Sequence, residues 1–182
     1  LAASYSYNLK SNLDRSFAPA YTIGALLSQG DGVVSDFESI VEDILPLHPG
    51  VFELAIAPDG IIEQVAPLKG NEKALRLNLF EVKTQNKESF LARDTGKFTL
   101  AGPLNLVQGG EALVGRLPIF LDRETKNSFW GFVLVGIKID QMFDTQKMDQ
   151  LKREGISYEV WKINPNTGEK QFILKSSDNS LQ

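Results

Sequence analysis

The sequence predicts an α+β fold in which a long N-terminal helix precedes an antiparallel sheet. Three observations carry that prediction. Apolar or small residues recur at helical spacing from Leu9 through Leu13, Phe17, Ala20 and Gly24 to Leu27. A Pro58-Asp59-Gly60 turn joins two apolar segments, Val51 to Ala57 and Ile61 to Ala66. Two long apolar runs, Ala112 to Leu121 and Phe129 to Lys138, flank the charged turn Asp122 to Lys126.

The first helix ends at Gly30-Asp31-Gly32, because glycine tolerates the left-handed conformation of a helix end. Pro19 lies inside it and lacks an N–H, which predicts a bend near Arg15. Ser35-Asp36-Phe37-Glu38 has the form of a capping box. Phe37, Ile40, Val41, Ile44 and Leu45 then make one apolar face, and Pro46 and Pro49 close this second helix. It is expected to pack on a sheet.

Val51 to Ala57 reads as a strand with Phe52, Leu54 and Ile56 on one side. Ala57 to Gly60 fits a type I turn, and Ile61 to Ala66 returns as the partner strand. Gly70-Asn71-Glu72 marks a loop, and a third helix spans Gln85 to Asp94, ending at Gly96. Lys97 to Ala101 adds a strand before the two long ones. A short helix covers Gln141 to Lys152. The alternating segments Ile156 to Ile163 and Gln171 to Lys175 form a hairpin around Asn164 to Gly168. A lone hairpin cannot support its own core, so it either docks on the preceding body or begins a second, incomplete unit.

Composition excludes several functions. Nineteen Lys and Arg against 23 Asp and Glu give a net charge of -4, without the basic stripe that nucleic acid requires. The absence of cysteine removes disulfides, thiolate metal sites and a Cys nucleophile. The longest apolar stretch, Trp130 to Ile137, is far short of the roughly 20 residues that cross a bilayer. A start at Leu1 and a polar end, Ser176 to Gln182, are expected of a segment from a longer protein.

No nucleophile, base and orienting group assemble anywhere in the sequence. His48, the single histidine, reads as a turn residue making local hydrogen bonds. Asp36, Glu38, Glu42 and Asp43 read as the solvated side of a helix, and Trp130 as core packing. Gln108-Gly109-Gly110 reads first as a hairpin turn, and second as a place where backbone approaches a ligand closely. Arg116 is more informative. It shares a strand face with Val114 and Phe120, while Leu113, Leu117 and Ile119 take the other, so the strand is buried on both sides. A buried arginine needs a partner: a protein carboxylate such as Glu53 or Asp94, or an anionic ligand held bidentately.

Several spaced motifs resemble the CHASE sensory domain. One set is His48-Pro49-Gly50, Leu54 to Ile62 and Pro67 to Glu72; the other is Ala92 to Gly96, Leu100 to Pro103, Leu106 to Gly110, Gly115 to Phe120 and Phe129 to Phe132. The resemblance runs from about the first helix to Phe143 and is strongest from His48 onward. It implies a long N-terminal stalk helix, a PAS-like antiparallel sheet subdomain and a partial second PAS-like subdomain. The expected division is 1–47 for the stalk and short second helix, 48–140 for the membrane-distal ligand-binding subdomain, and 141–182 for the start of a truncated proximal one.

The resemblance also implies a function. CHASE domains are extracytoplasmic sensors of membrane-bound histidine kinases and diguanylate cyclases, so this chain is expected to be a non-catalytic periplasmic sensor. The parent protein would be anchored in the inner membrane, with no cofactor or metal in the sensor and a homodimer seam along the stalk. Plant relatives bind cytokinins through an aspartate at the position matching Asn78 and through main chain near Leu100 and Ala101. The implied ligand-binding set is Asn78, Leu100, Ala101, Gly102, Gln108, Gly109 and Arg116. Asn78 can donate to and accept from a purine, whereas Arg116, a threonine in the plant receptors, favours an anionic ligand. The competing expectation is a protein-interaction or structural domain without a small-molecule ligand.

Overall fold

A computed structural model of the chain describes residues 2–106, 109–122, 128–143 and 145–176. Helix α1 spans Ala2–Gln29, starting earlier than the apolar stripe alone indicates. Its inner face buries Ala20, Ile23 and Leu27 completely, and the two large side chains contribute roughly 1.5–3 kcal/mol each. Helix α2, Phe37–Ile44, buries Phe37 and Val41. Its expected capping box is absent. Asp36 takes the cap position at φ 55°, and no side chain bonds the first turn there. A box needs extended backbone at the cap, which a left-handed residue does not supply.

Strand β1 is Val51–Pro58 and β2 is Gln64–Ala66. The turn between them closes with Gly60 N–H donating to Ala57 O at 3.1 Å, yet Asp59 has φ 52°. A type I turn has about −90° there, so the expected turn type is corrected. The partner strand is also shorter than expected. Ile62 exchanges backbone bonds with Leu77 O and Arg76 N–H, and Ile61 bridges Asn78, which diverts this stretch away from β1.

Helix α3 is Asn86–Thr95, closed by Gly96 at φ 64°. Strands β3 (Thr99–Asn105), β4 (Glu111–Phe120) and β5 (Phe129–Lys138) complete a five-stranded antiparallel sheet in the order β2-β1-β5-β4-β3. The expected helix after it divides into α4, Ile139–Met142, and α5, Thr145–Arg153. The hairpin pairs β6, Glu159–Ile163, with β7, Lys170–Lys175.

Alternation along the strands sorts side chains onto two faces. Leu54, Ile56, Leu113, Val133, Val135 and Ile137 pack under α1 and α2 in the larger core cluster. Ala55, Ala57, Phe132 and Leu134 face the opposite way, toward Ile62, Val65, Leu79 and Ala92 of the covering segment and α3. Trp130 packs against the larger cluster, as the sequence suggests. Ile156, Tyr158, Val160, Ile173 and Leu174 join it too, so the hairpin docks on the body.

Candidate ligand site

The covered face of the sheet, under α3, carries the polar chemistry. Register places Arg116 of β4 between Thr99 of β3 and Leu134 of β5. Its side chain is only 1% exposed. Nη1 donates to Gln85 O at 2.6 Å and Nη2 donates to Gln85 Oε1 at 2.9 Å. Nε, also buried, has no partner among the described residues. Neither Glu53 nor Asp94 meets it. Asp94 bonds Arg93 at 2.8 Å, and the Arg116 fork is taken by an amide and a carbonyl.

Gln85 can serve this role because it stands at the start of α3 without capping the helix. One turn in, Glu88 places a carboxylate where the helix dipole favours negative charge. The chain there is held by Thr99 Oγ1 donating to Glu88 O at 2.9 Å and Ser89 Oγ donating to Leu79 O at 3.2 Å. Glu88 Oε1 accepts from Lys162 Nζ of β6 at 2.9 Å, while Oε2 is buried without a hydrogen-bond partner among the described residues. Burial lowers the Arg116 guanidinium to a pKa of about 10, and the charge of Glu88 works in the opposite direction. It remains a cation at neutral pH.

Of the other residues expected to bind ligand, Ala101 stands beside this cluster and the rest of those described do not join it. Asn78 is committed locally: Oδ1 accepts from Phe80 N–H and Nδ2 donates to Glu81 Oε1, both at 3.0 Å. The Leu100 side chain packs with the larger cluster on the opposite face. Ala101 pairs with Val114, one row from Arg116 on the same face, and is fully buried. Gly102 has φ 107°, and a Cβ there would stand 2.7 Å from Ala112 O, so glycine serves the bulge between Ala101 and Leu104. Gly109 is exposed in the β3–β4 turn, with open space where a Cβ would be. Five residues of β4 separate that end from Arg116, about 17 Å along the strand. Gln108 lies outside the described residues.

Gln85, Glu88 and Lys162 complete the cluster, and none of them is among the ligand-binding residues expected from the sequence. Glu88 had a faint signal, an acid in the first turn of a helix. Lys162 had none, because β6 turns Trp161 and Ile163 outward, 42% and 54% exposed, and tucks the lysine in. The single histidine also has a non-local partner. Its Nδ1 lies 2.8 Å from Arg15 O, an acceptor, so Nδ1 carries the proton and donates. That carbonyl is the one Pro19, lacking an N–H, cannot serve. A cleft of about 210 Å³ beside this contact, lined by Asn12, Arg15, His48 and Gln141, shares no residue with the Arg116 cluster.

The model of one family, the CHASE domain, matches residues 47–173, well over half of the sequence. The chain belongs to the CHASE-domain family. The match takes in the β6–β7 hairpin, beyond the stretch that carries the sequence motifs. Among solved structures, the chain is similar in fold to an extracellular ligand binding receptor from Desulfohalobium retbaense DSM5692. That likeness has a TM-score of 0.61 and 16% identity, and covers 87% of this chain. The chain spans only 28% of that receptor's length. The extracellular domain of a histidine kinase, mmHK1S-Z2, is also similar, at 16% identity and a TM-score of 0.49, covering 94% of this chain and 88% of its own. No curated protein sequence matches.

As a CHASE domain, the chain is an extracellular sensory domain and is not itself catalytic. Its fold is the expected one, an N-terminal helix before a five-stranded antiparallel sheet of the PAS-like kind. Among the described residues no helix is long and apolar enough to cross a membrane, and no group of His, Cys, Asp and Glu is arranged to hold a metal ion.

Proposed function

We propose that this CHASE domain senses a small molecule bound between the central sheet and α3, with Arg116 and Glu88 as the groups that read it. The observation that carries this reading is the pair of buried polar atoms without hydrogen bonds, Arg116 Nε and Glu88 Oε2, on neighbouring elements of one cluster. A buried donor or acceptor left unpaired costs about 1–3 kcal/mol, more when charged, and a ligand that pairs both recovers it.

One free site is a donor and the other an acceptor. The ligand therefore carries an acceptor and a donor close together, as an amino acid, a carboxamide or the edge of a purine does. A simple anion suits Arg116 alone and is repelled by Glu88. Both side chains are closed off from solvent, so entry requires α3 and its cover to part from the sheet.

In the full-length receptor the domain would be membrane-anchored, paired with a second copy along α1, and linked to a cytoplasmic kinase or cyclase. The unit 48–140 would be the membrane-distal sensor and 141–182 the start of the proximal one. A ligand that binds one arrangement better than another shifts the balance between them, and β5 leads that shift toward α4. A second reading, a protein-interaction domain, is favoured by Trp161, Ile163 and Phe172, all more than 40% exposed on one hairpin.

A thermal-shift panel of amino acids, carboxamides, purines and simple organic acids separates the two. Ligand at about 100 times its Kd adds roughly 2.7 kcal/mol, and a domain of this size gains about 2–4 °C per kcal/mol. The expected result is a rise of several degrees for one donor-acceptor compound, lost in Arg116→Met. A silent panel supports the interaction reading, and an equal rise in Arg116→Met removes the ligand from this site.

A further inference from the structure

The ion pair between Lys162 and Glu88 joins residues 74 positions apart at 2.9 Å, with side chains 12% and 7% exposed. The pairs Arg93–Asp94, Lys152–Asp149 and Lys175–Glu159 are local, and each of their side chains is more than a third exposed. Solvent screens those three, while little solvent reaches the buried one. Among the described residues the hairpin and its lead-in also attach to the body by apolar packing of Ile156, Tyr158, Val160, Ile173 and Leu174. Such packing is non-directional and has no connection to the charge state of the sheet's other face.

We infer that Lys162 is a latch that ties the C-terminal hairpin to the ligand site, and that binding at Glu88 loosens it. This rests on the reading of the Arg116 cluster as the site. Glu88 is tied to both sides of the cluster, by its carboxylate to Lys162 of β6 and by its carbonyl to Thr99, the register partner of Arg116. Its two oxygens are divided, Oε1 to the lysine and Oε2 to no hydrogen-bond donor among the described residues. A ligand donor placed on Oε2 draws negative charge away from Oε1 and weakens the hold of Lys162. The coupling is reciprocal, so whatever loosens Lys162 frees Glu88 for the ligand. The signal thereby reaches the segment after β5 directly, in addition to any route along that strand.

Hydrogen exchange on this chain without any ligand tests the latch, reading amides of 159–163 and 170–175 relative to those of β5. Lys162→Met and Glu88→Gln are each expected to speed hairpin exchange at least tenfold, and the double variant by no more than the larger single effect. Arg116→Met removes the competing cation, so the lysine holds Glu88 more firmly and relative hairpin exchange slows. A merely structural lysine would not respond to Arg116. Unchanged exchange in Lys162→Met, single effects that multiply in the double variant, or no relative slowing in Arg116→Met would each overturn the latch. None of these outcomes depends on whether the ligand panel succeeds.

Discussion

Glu53 is a carboxyl on the α3-covered face of the sheet, with no ion-pair partner among the described residues. It pairs in register with Gly136 of β5, and a Cβ on that glycine would lie 2.6 Å from Glu53 Cγ, so the acid lies across the space the glycine leaves. Burial raises its pKa from 4.5 to about 7. A raised acid pKa in the folded state means that folding takes up a proton between those values. Stability is therefore fullest below pH 4.5 and falls as pH rises through about 7. Glu53→Gln is expected to be more stable than the parent at pH 8 by on the order of 2 kcal/mol, after discounting for residual solvent contact. Near pH 4.5 the advantage should vanish. Denaturant titrations of both proteins across this range check it, and a constant difference would show that Glu53 keeps its ordinary pKa.

At the scale of elements, α1 is docked by apolar faces and by one hydrogen bond across the chain. Pro19 deprives the Arg15 carbonyl of its usual helical partner, and His48, just ahead of β1, supplies the missing donor. The sequence marked the donor that Pro19 lacks and a turn histidine at His48, but not that His48 would meet the Arg15 carbonyl. In a double-mutant cycle, His48→Ala should cost about 1 kcal/mol in the parent background. With Pro19→Ala the helix serves its own carbonyl, and the cost of losing His48 should fall close to zero. Equal costs in the two backgrounds would separate the histidine from the proline. Elsewhere the same limit recurs. Apolar spacing located α2, but Asp36 in a left-handed conformation displaced its capping box. The β4 alternation placed Arg116 on the correct face, while β6 ran against apolar-in expectation and hid Lys162.

For the whole molecule, α1 is part of the core. Among its described side chains the first buried one is Ser16, and Phe17 and Tyr21 approach Phe98 at 4.6 and 6.1 Å between ring centres. Tyr7→Ala, at an exposed position of α1, should change stability by less than about 0.5 kcal/mol, as for surface alterations generally. Leu27→Ala, which empties a fully buried position, should cost about 2–5 kcal/mol. Chemical denaturation of both variants tests this, and a large loss in Tyr7→Ala would mean that this turn of α1 carries core contacts. Because both sheet faces are covered, the domain holds its polar cluster in a dry layer, where an unpaired donor or acceptor has most effect.

Local periodicities are set by neighbours two to four residues apart, so the sequence by itself located most strands and helices and the buried arginine, while its spaced motifs carried the resemblance to the CHASE family. The tertiary structure decided which polar groups meet. Arg116 finds Gln85 across 31 residues, His48 finds Arg15 across 33, and Lys162 finds Glu88 across 74. No period spans those intervals. Each contact depends on how two faces of one sheet are covered, and only the folded chain brings these buried polar groups together.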